Sequence, residues 1–243
     1  MGHFCHRRTS WNIGTRGHRR TTRVVAATCA VIFAAALMTV APVLSTRLPQ
    51  AAAVSCPEVE VVFARGREEP AGAGIVGTAF VNALRAKSSK KIGYYAVNYD
   101  ANIGVDQGAN DMSAHIQYMV PNCPNTRLVL GGYSLGAAVT DMVLAVPGPV
   151  LGFKNPLPVG SDGHVAAVAL FGNGTRKVLG GSISNIVAGY RDKIIDLCNA
   201  SDPVCSPSMD IQTWADNWTD HLQNAYIKSG MVDQAAQFAA ARL

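Results

Sequence analysis

Short apolar runs rich in β-branched residues recur along the chain after residue 53 and alternate with segments whose apolar residues fall on one helical face. The apolar runs predict strands at Glu58–Ala64, Ile92–Val97, Arg127–Tyr133, Val165–Phe171 and Lys193–Leu197. The helical periodicity predicts helices at Ile75–Ala86, Asp111–Val120, Leu135–Ala145 and Met231–Leu243, the second of them ending before Pro121. Strands that alternate with helices, and that show no polar alternation of their own, indicate an α/β fold with a parallel sheet covered on both faces.

One long segment between the predicted elements has no helical or strand pattern. Residues Pro147–Gly163 contain four prolines and several glycines, which predict an exposed loop that could border a substrate cleft. The rest of the region after residue 53 shows no internal repeat and no sign of a second domain. A chain of 243 residues is long enough for one domain with a full core.

The basic charge of the chain is confined to its first 53 residues. They hold seven arginines and no acidic residue, whereas the remainder carries 14 Lys+Arg and 16 Asp+Glu. Because this remainder has a net charge of −2, we expect no nucleic-acid partner. The basic stretch precedes an apolar run at Val24–Val40 and a possible cleavage site at Ala51–Ala53, which is the order of a secretory signal peptide. An uncleaved membrane anchor is the alternative. Either interpretation predicts a secreted or cell-envelope-associated protein.

Four cysteines lie beyond the predicted signal peptide: Cys56, Cys123, Cys198 and Cys205. An even number in an exported domain predicts two disulfides, for which three pairings are possible. The short spacing favours a bond between Cys198 and Cys205, which leaves Cys56 with Cys123. A zinc site is disfavoured, because there is no C-x-x-C motif and no histidine at ligand spacing.

The clearest chemical signal is the pentapeptide Gly132–Gly136, a G-x-S-x-G motif with Ser134 at its centre. A predicted strand enters the motif and a predicted helix leaves it, as a nucleophile elbow requires. The two glycines are expected to permit the sharp turn, because larger side chains would collide with the strand and the helix. The motif and its context together predict that Ser134 is a catalytic nucleophile.

A serine nucleophile needs a histidine base that is oriented by a carboxylate. Three histidines lie beyond residue 53, and His221 is favoured because it follows the last predicted strand. His115 lies within a predicted helix and is expected to be structural, while His164 directly precedes a buried strand. Asp202 is the favoured acid, because it lies between Cys198 and Cys205 just beyond a strand; Asp196 is its rival.

These motifs resemble those of the cutinase family, in particular its actinobacterial members. The resemblance is carried by Val61–Gly66, the elbow at Gly131–Gly136, the C-x-x-x-D-x-V-C loop at Cys198–Cys205 and His221. It implies a three-layer α/β/α sandwich over residues 54–243 and a triad of Ser134, Asp202 and His221. It also implies disulfides Cys56–Cys123 and Cys198–Cys205, and an oxyanion hole built from the backbone N–H groups of Leu135 and Arg67.

Two positions depart from the family pattern. Leu135 stands where many relatives have Gln, and Arg67 stands where many have a Ser or Thr whose hydroxyl orients the oxyanion hole. A backbone donor survives the change at Leu135. The change at Arg67 removes a positioned hydroxyl donor, and the Arg67 side chain either supplies its own guanidinium or crowds the site. Trp214 and Trp218 lie four residues apart, and they form either an apolar flap near the site or ordinary surface packing.

The expected function is carboxylic ester hydrolysis on acyl esters or lipids, with no metal or cofactor, by a monomer. Two alternatives keep the same fold: a binding protein that has lost activity, supported by Arg67, and an acyltransferase that uses an alcohol instead of water. A third is a dinucleotide-binding enzyme, because Gly72–Gly77 is a literal G-x-G-x-x-G motif. We disfavour it, because the motif does not follow the strand directly and Glu68 and Glu69 would repel a pyrophosphate.

Overall fold

The computed structural model describes residues 55–207 and 214–243. The predicted signal peptide or anchor at residues 1–53 lies outside this range. The strands are β1 (Val59–Ala64), β2 (Ile92–Ala96), β3 (Arg127–Tyr133), β4 (Val165–Phe171) and β5 (Ile194–Leu197). The α-helices are α1 (Gly74–Lys87), α2 (Val105–Asn122), α3 (Leu135–Ala145), α4 (Thr175–Leu179), α5 (Gln223–Lys228) and α6 (Met231–Ala240). Short 3₁₀ helices occur at Ser161–His164, Ile183–Asn185, Ala188–Lys193 and Trp218–Asp220.

The five strands form one parallel sheet in the order β2-β1-β3-β4-β5. β3 occupies the centre, which explains why its residues are almost wholly apolar and buried. Helices α2 and α3 pack together on one face, and α1 and α6 pack together on the other. This arrangement confirms the predicted α/β/α sandwich.

Successive residues of each strand point into different halves of the core. Val62 and Leu130 belong to the cluster under α2 and α3, whereas their neighbours Phe63 and Val129 belong to the cluster under α1 and α6. In the second cluster the rings of Phe63, Phe80 and Phe171 lie with centroids 5.9–6.4 Å apart. The sheet is therefore a rigid support for the residues that follow its strands.

The prediction for α2 was wrong at both ends. The helix begins at Val105 rather than Asp111, and it continues through Pro121 to Asn122. Gly108 belongs to the helix because α2 packs closely there: a Cβ on Gly108 would lie 2.8 Å from Cγ2 of Val139. The predicted closing helix also ends three residues early, at Ala240.

The proline-rich loop lies at the amino end of the sheet, directly before β4. It contributes Pro147 and residues 157–162 to a cavity of about 240 Å³ that also includes Tyr190. Among the described residues, none from Pro147–Gly163 lines the cavity around Ser134. The loop therefore does not border that cavity, because α3 carries the chain from Ser134 to the opposite end of the sheet.

Both disulfides have the predicted pairing. Cys56–Cys123 joins the residues before β1 to the end of α2, and Cys198–Cys205 closes a loop directly after β5. In the described part of the chain, no helix combines the length and the apolarity needed to cross a membrane.

Candidate active site

Ser134 lies on a strained turn between β3 and α3. Its backbone has φ 53° and ψ −117°, which is unusual for a residue with a side chain. A Cβ on Gly132 would lie 2.1 Å from the carbonyl oxygen of Gly136, and a Cβ on Gly136 would lie 2.0 Å from that of Ala64. Both glycines of the motif are therefore sterically required, as the sequence predicted.

The structure brings Ser134, His221 and Asp202 into one line of hydrogen bonds. Ser134 Oγ lies 2.8 Å from Nε2 of His221, and Nδ1 of His221 lies 2.7 Å from Oδ2 of Asp202. Asp202 is completely buried and His221 is 3% exposed, so water does not compete for the bond between them. This is the geometry in which a histidine can accept the serine proton while a carboxylate orients the ring.

Two further groups hold the Asp202 carboxylate. The backbone N–H of Val204 donates to Oδ1 at 2.7 Å, and the Tyr226 hydroxyl donates to Oδ2, the oxygen that also contacts His221. Burial, followed by the charge of Asp202, raises the pKa of Tyr226 far above its ordinary value. The tyrosine therefore remains a protonated donor, and the disulfide-closed loop keeps the carboxylate in place.

His221 is held by aromatic neighbours and by a glycine. The Tyr133 hydroxyl donates to the backbone carbonyl of His221, and the two rings stack with centroids 5.5 Å apart. The Trp218 ring lies 5.2 Å from the imidazole, and a Cβ on Gly172 would lie 3.0 Å from its Cε1. Each contact restricts the position that the imidazole can take.

A cavity of about 730 Å³ opens above Ser134, and its wall is mostly apolar. Its apolar side chains include those of Leu135, Ala138, Val178, Val204, Trp214, Trp218 and Leu222. The rings of Trp214 and Trp218 stack at 5.6 Å, and each residue is about 40% exposed. Of the two interpretations of this pair, the structure favours the flap, because both residues line the cavity.

The two predicted oxyanion residues, Leu135 and Arg67, both line this cavity. Leu135 is the first residue of α3, where N–H groups have no acceptor within the helix. Arg67 is exposed and lies in the turn after β1. Arg67 and its neighbour Glu68 both belong to the cavity wall.

The other candidate residues take structural positions. Nε2 of His115 lies 2.6 Å from Oε2 of Glu60, and the His115 ring stacks on Tyr95.

His164 lies at the amino end of β4, away from Ser134. Asp196 lies within β5, with Oδ2 3.3 Å from Nη1 of Arg176. In residues 55–207 and 214–243, no group of three or more His, Cys, Asp or Glu could hold a metal ion.

The G-x-G-x-x-G segment does not form a dinucleotide site. Oε1 of Glu69 accepts the N–H groups of Ile75 and Val76 at 2.8 and 3.1 Å, which occupies the helix end where a pyrophosphate would bind. Gly77 serves a close contact, because a Cβ there would lie 2.5 Å from the Phe63 ring. The glycines therefore shape a loop and a helix contact, as predicted.

Sequence reasoning missed three residues around the site: Tyr133, Tyr226 and Glu69. The tyrosine hydroxyls bond to groups 88 and 24 residues away, so no local pattern could show these partners. Position in the elbow could have drawn attention to Tyr133, since it directly precedes Ser134.

Known proteins resemble this chain over most of its length. The family model described as Cutinase matches residues 55–243. The chain is 62% identical over 192 residues to a Mycobacterium tuberculosis protein named "Probable carboxylesterase Culp2", with 79% of this chain and 82% of that protein covered. It is 48% identical over 236 residues to "Phospholipase Culp4" of the same organism, with 96% and 95% covered. A solved Trichoderma reesei cutinase in complex with a phosphonate inhibitor is 28% identical, with 76% of each chain covered and a TM-score of 0.59.

Proposed function

Because this chain belongs to the cutinase family and is a serine ester hydrolase, we propose that it cleaves acyl esters with Ser134 as nucleophile, His221 as base and Asp202 as orienting acid. The observation that carries the proposal is the unbroken line of hydrogen bonds at 2.8 and 2.7 Å that ends at the floor of an open apolar cavity. The strained turn adds support, because it exposes the Ser134 hydroxyl to that cavity.

The reaction proceeds in two acyl-transfer steps. His221 takes the proton of Ser134 as the oxygen attacks the ester carbonyl, and the N–H groups of Leu135 and Arg67 stabilise the negative oxygen. His221 then gives the proton to the departing alcohol, which leaves an acyl group on Ser134. Water, deprotonated by His221, attacks this acyl-enzyme and releases the acid.

Apolar acyl groups are the substrates that the cavity favours. Most of the exposed surface of its wall is apolar, and the stacked pair Trp214 and Trp218 adds a broad aromatic surface. A relative named as a phospholipase, 48% identical over almost the whole chain, makes phospholipids a specific candidate. We propose lipid-like acyl esters as the substrate class.

Secretion is part of the proposal. Two disulfides in the described domain favour an oxidising compartment outside the cytosol. N-terminal sequencing of the protein from culture medium and from envelope fractions tests this. A start near residue 54 would support export with cleavage, and an intact N-terminus in the cytosol would contradict it.

The activity is tested with p-nitrophenyl esters of increasing chain length and with a fluorophosphonate that labels activated serines. We expect hydrolysis of these esters, and we expect both turnover and labelling to be lost in Ser134→Ala. The matched control is Ser113→Ala, because this buried serine lies on α2 and donates to the carbonyl of Asn155. A folded wild-type protein that neither hydrolyses these esters nor reacts with the probe would refute the proposal and favour a binding protein.

A further inference from the structure

The turn from Arg65 to Glu69 connects β1 to the segment before α1, and it places Arg67 at the wall of the Ser134 cavity. In the proposed function, the N–H of Arg67 is one of the two donors that stabilise the oxyanion. Such donors are effective only when they are fixed before the reaction begins. The contacts that fix this turn therefore bear directly on the rate.

The Glu69 carboxylate joins this turn to α1. The residue is 5% exposed, and its Oε2 accepts the N–H of Gly66 at 2.7 Å. Its Oε1 accepts the N–H groups of Ile75 and Val76 in the first turn of the helix. One carboxylate thus holds the turn with one oxygen and the helix start with the other, where negative charge is favoured.

Close packing holds the same turn from the other side. A Cβ on Gly66 would lie 2.5 Å from the Tyr133 ring, and a Cβ on Gly74 would lie 2.3 Å from Oε2 of Glu69. Glu68 has a φ of 60°, a strained conformation that persists only where its surroundings enforce it. The turn is therefore wedged between the Glu69 carboxylate and Tyr133, the residue that precedes Ser134.

A carboxylate that served only to cap α1 would have no need to bind Gly66. We propose that Glu69 is a positioning residue for the reaction: by holding Gly66 it fixes the N–H of Arg67 where the oxyanion forms. This inference rests on the proposed function. It assigns to Glu69 an effect on the transition state in addition to its effect on helix stability.

Glu69→Gln tests the role with almost no change in shape. The amide keeps one acceptor oxygen, and its NH₂ group must face an N–H donor on one of the two sides. We expect kcat for p-nitrophenyl butyrate to fall about 10- to 100-fold, below the loss of about 10²–10³ for complete removal of an oxyanion donor. KM should change less than about threefold, because the missing interaction belongs to the transition state.

A reversible trifluoromethyl ketone gives the decisive readout, since its adduct with serine carries an oxyanion. Its inhibition constant should rise by the same factor by which kcat/KM falls in Glu69→Gln. The matched control is Glu60→Gln, the same change at a carboxylate that pairs with His115 on another part of the sheet. We expect this control to lose stability and to keep wild-type kinetic constants.

These measurements distinguish a positioning role of Glu69 from a purely structural one. Unchanged kcat in both Glu69→Gln and Gly74→Ala, or an inhibition constant that does not follow kcat/KM, would refute the positioning role and leave the esterase proposal intact. A wild-type protein without ester hydrolysis would overturn the proposed function and this inference together. If Glu69→Gln does not fold, Gly74→Ala displaces the same carboxylate, and it must show the same joint change in kcat and inhibition constant.

Discussion

Asp141 is a buried carboxyl group on α3, seven residues beyond Ser134. It is 4% exposed, and it accepts hydrogen bonds from Nδ2 of Asn173 at 2.8 Å and from the Thr175 hydroxyl. Burial raises its pKa from 3.8 to about 6; the two hydrogen bonds lower the pKa, and the nearby charge of Asp196 adds to the rise. This carboxyl group therefore makes the stability of the protein depend on pH.

The sign of that dependence follows from proton binding. Between pH 4 and 6 the folded protein retains a proton on Asp141 that the unfolded chain has already released. Folding stability therefore falls as the pH rises through this window. Raising the pKa of Asp141 from 3.8 to about 6 corresponds to about 3 kcal/mol, because a tenfold change in an equilibrium constant is about 1.4 kcal/mol. The contribution is unfavourable above pH 6 and absent below pH 4.

Asp141→Asn removes the titration and keeps an oxygen that can accept from Asn173 and Thr175. Urea unfolding of wild type and variant, measured at intervals from pH 3.5 to 7, gives the difference in unfolding free energy. Relative to the variant, we expect the wild type to lose about 3 kcal/mol between pH 4 and 7. The control is Asp233→Asn, an exposed partner of Lys87, for which roughly 0–1 kcal/mol is expected. A difference for Asp141→Asn that is flat, or that grows in favour of the wild type with pH, would refute the reasoning.

Three further substitutions test the site. Tyr226→Phe keeps the buried ring but removes a donor to Asp202. Because a hydrogen bond to a charged group contributes about 1.5–3 kcal/mol, kcat should fall about tenfold. Unchanged kcat would show that this hydrogen bond is unimportant for catalysis. Gly136→Ala should prevent folding, because its Cβ would lie 2.0 Å from the Ala64 carbonyl oxygen; soluble protein with a wild-type melting temperature would contradict this. Trp218→Ala should lower kcat/KM about tenfold for a dodecanoyl ester and much less for an acetyl ester. The long acyl chain would lose about 50 Å² of apolar contact, which costs about 1.3 kcal/mol. Equal losses for the two esters would contradict a role of Trp218 in acyl binding.

Most of the fold could be predicted because it rests on local patterns. β3 and β4 have the bounds that their apolar runs predicted, since a parallel sheet buried on both faces leaves an almost uninterrupted apolar signal. α3 has the bounds that its helical periodicity predicted. The start of α2 could not be predicted, because Gly108 weakens the helical pattern. Its role is a contact with Val139, which belongs to another helix and is invisible in the local sequence.

The candidate site could be predicted only as far as its motifs extend. Ser134 is marked by two glycines, and Asp202 by two flanking cysteines, because both depend on tight local geometry. Tyr226 and Glu69 carry no such mark, since their importance comes from hydrogen-bond partners that the folded chain brings to them. The position of the proline-rich loop could not be predicted from its composition either, because the direction of α3 separates the loop from Ser134.

Acylation of Ser134 during turnover can be observed by rapid quenching followed by mass analysis. The protein is mixed with excess p-nitrophenyl butyrate, acid-quenched within milliseconds and digested for peptide mapping, with Ser134→Ala treated in parallel. We expect a mass increase of one butyryl group per molecule, located on the peptide that contains Ser134 and absent from the variant. Steady hydrolysis by a wild-type protein with no acyl group on that peptide, or an acyl group on another residue that persists in Ser134→Ala, would refute an acyl-enzyme at Ser134.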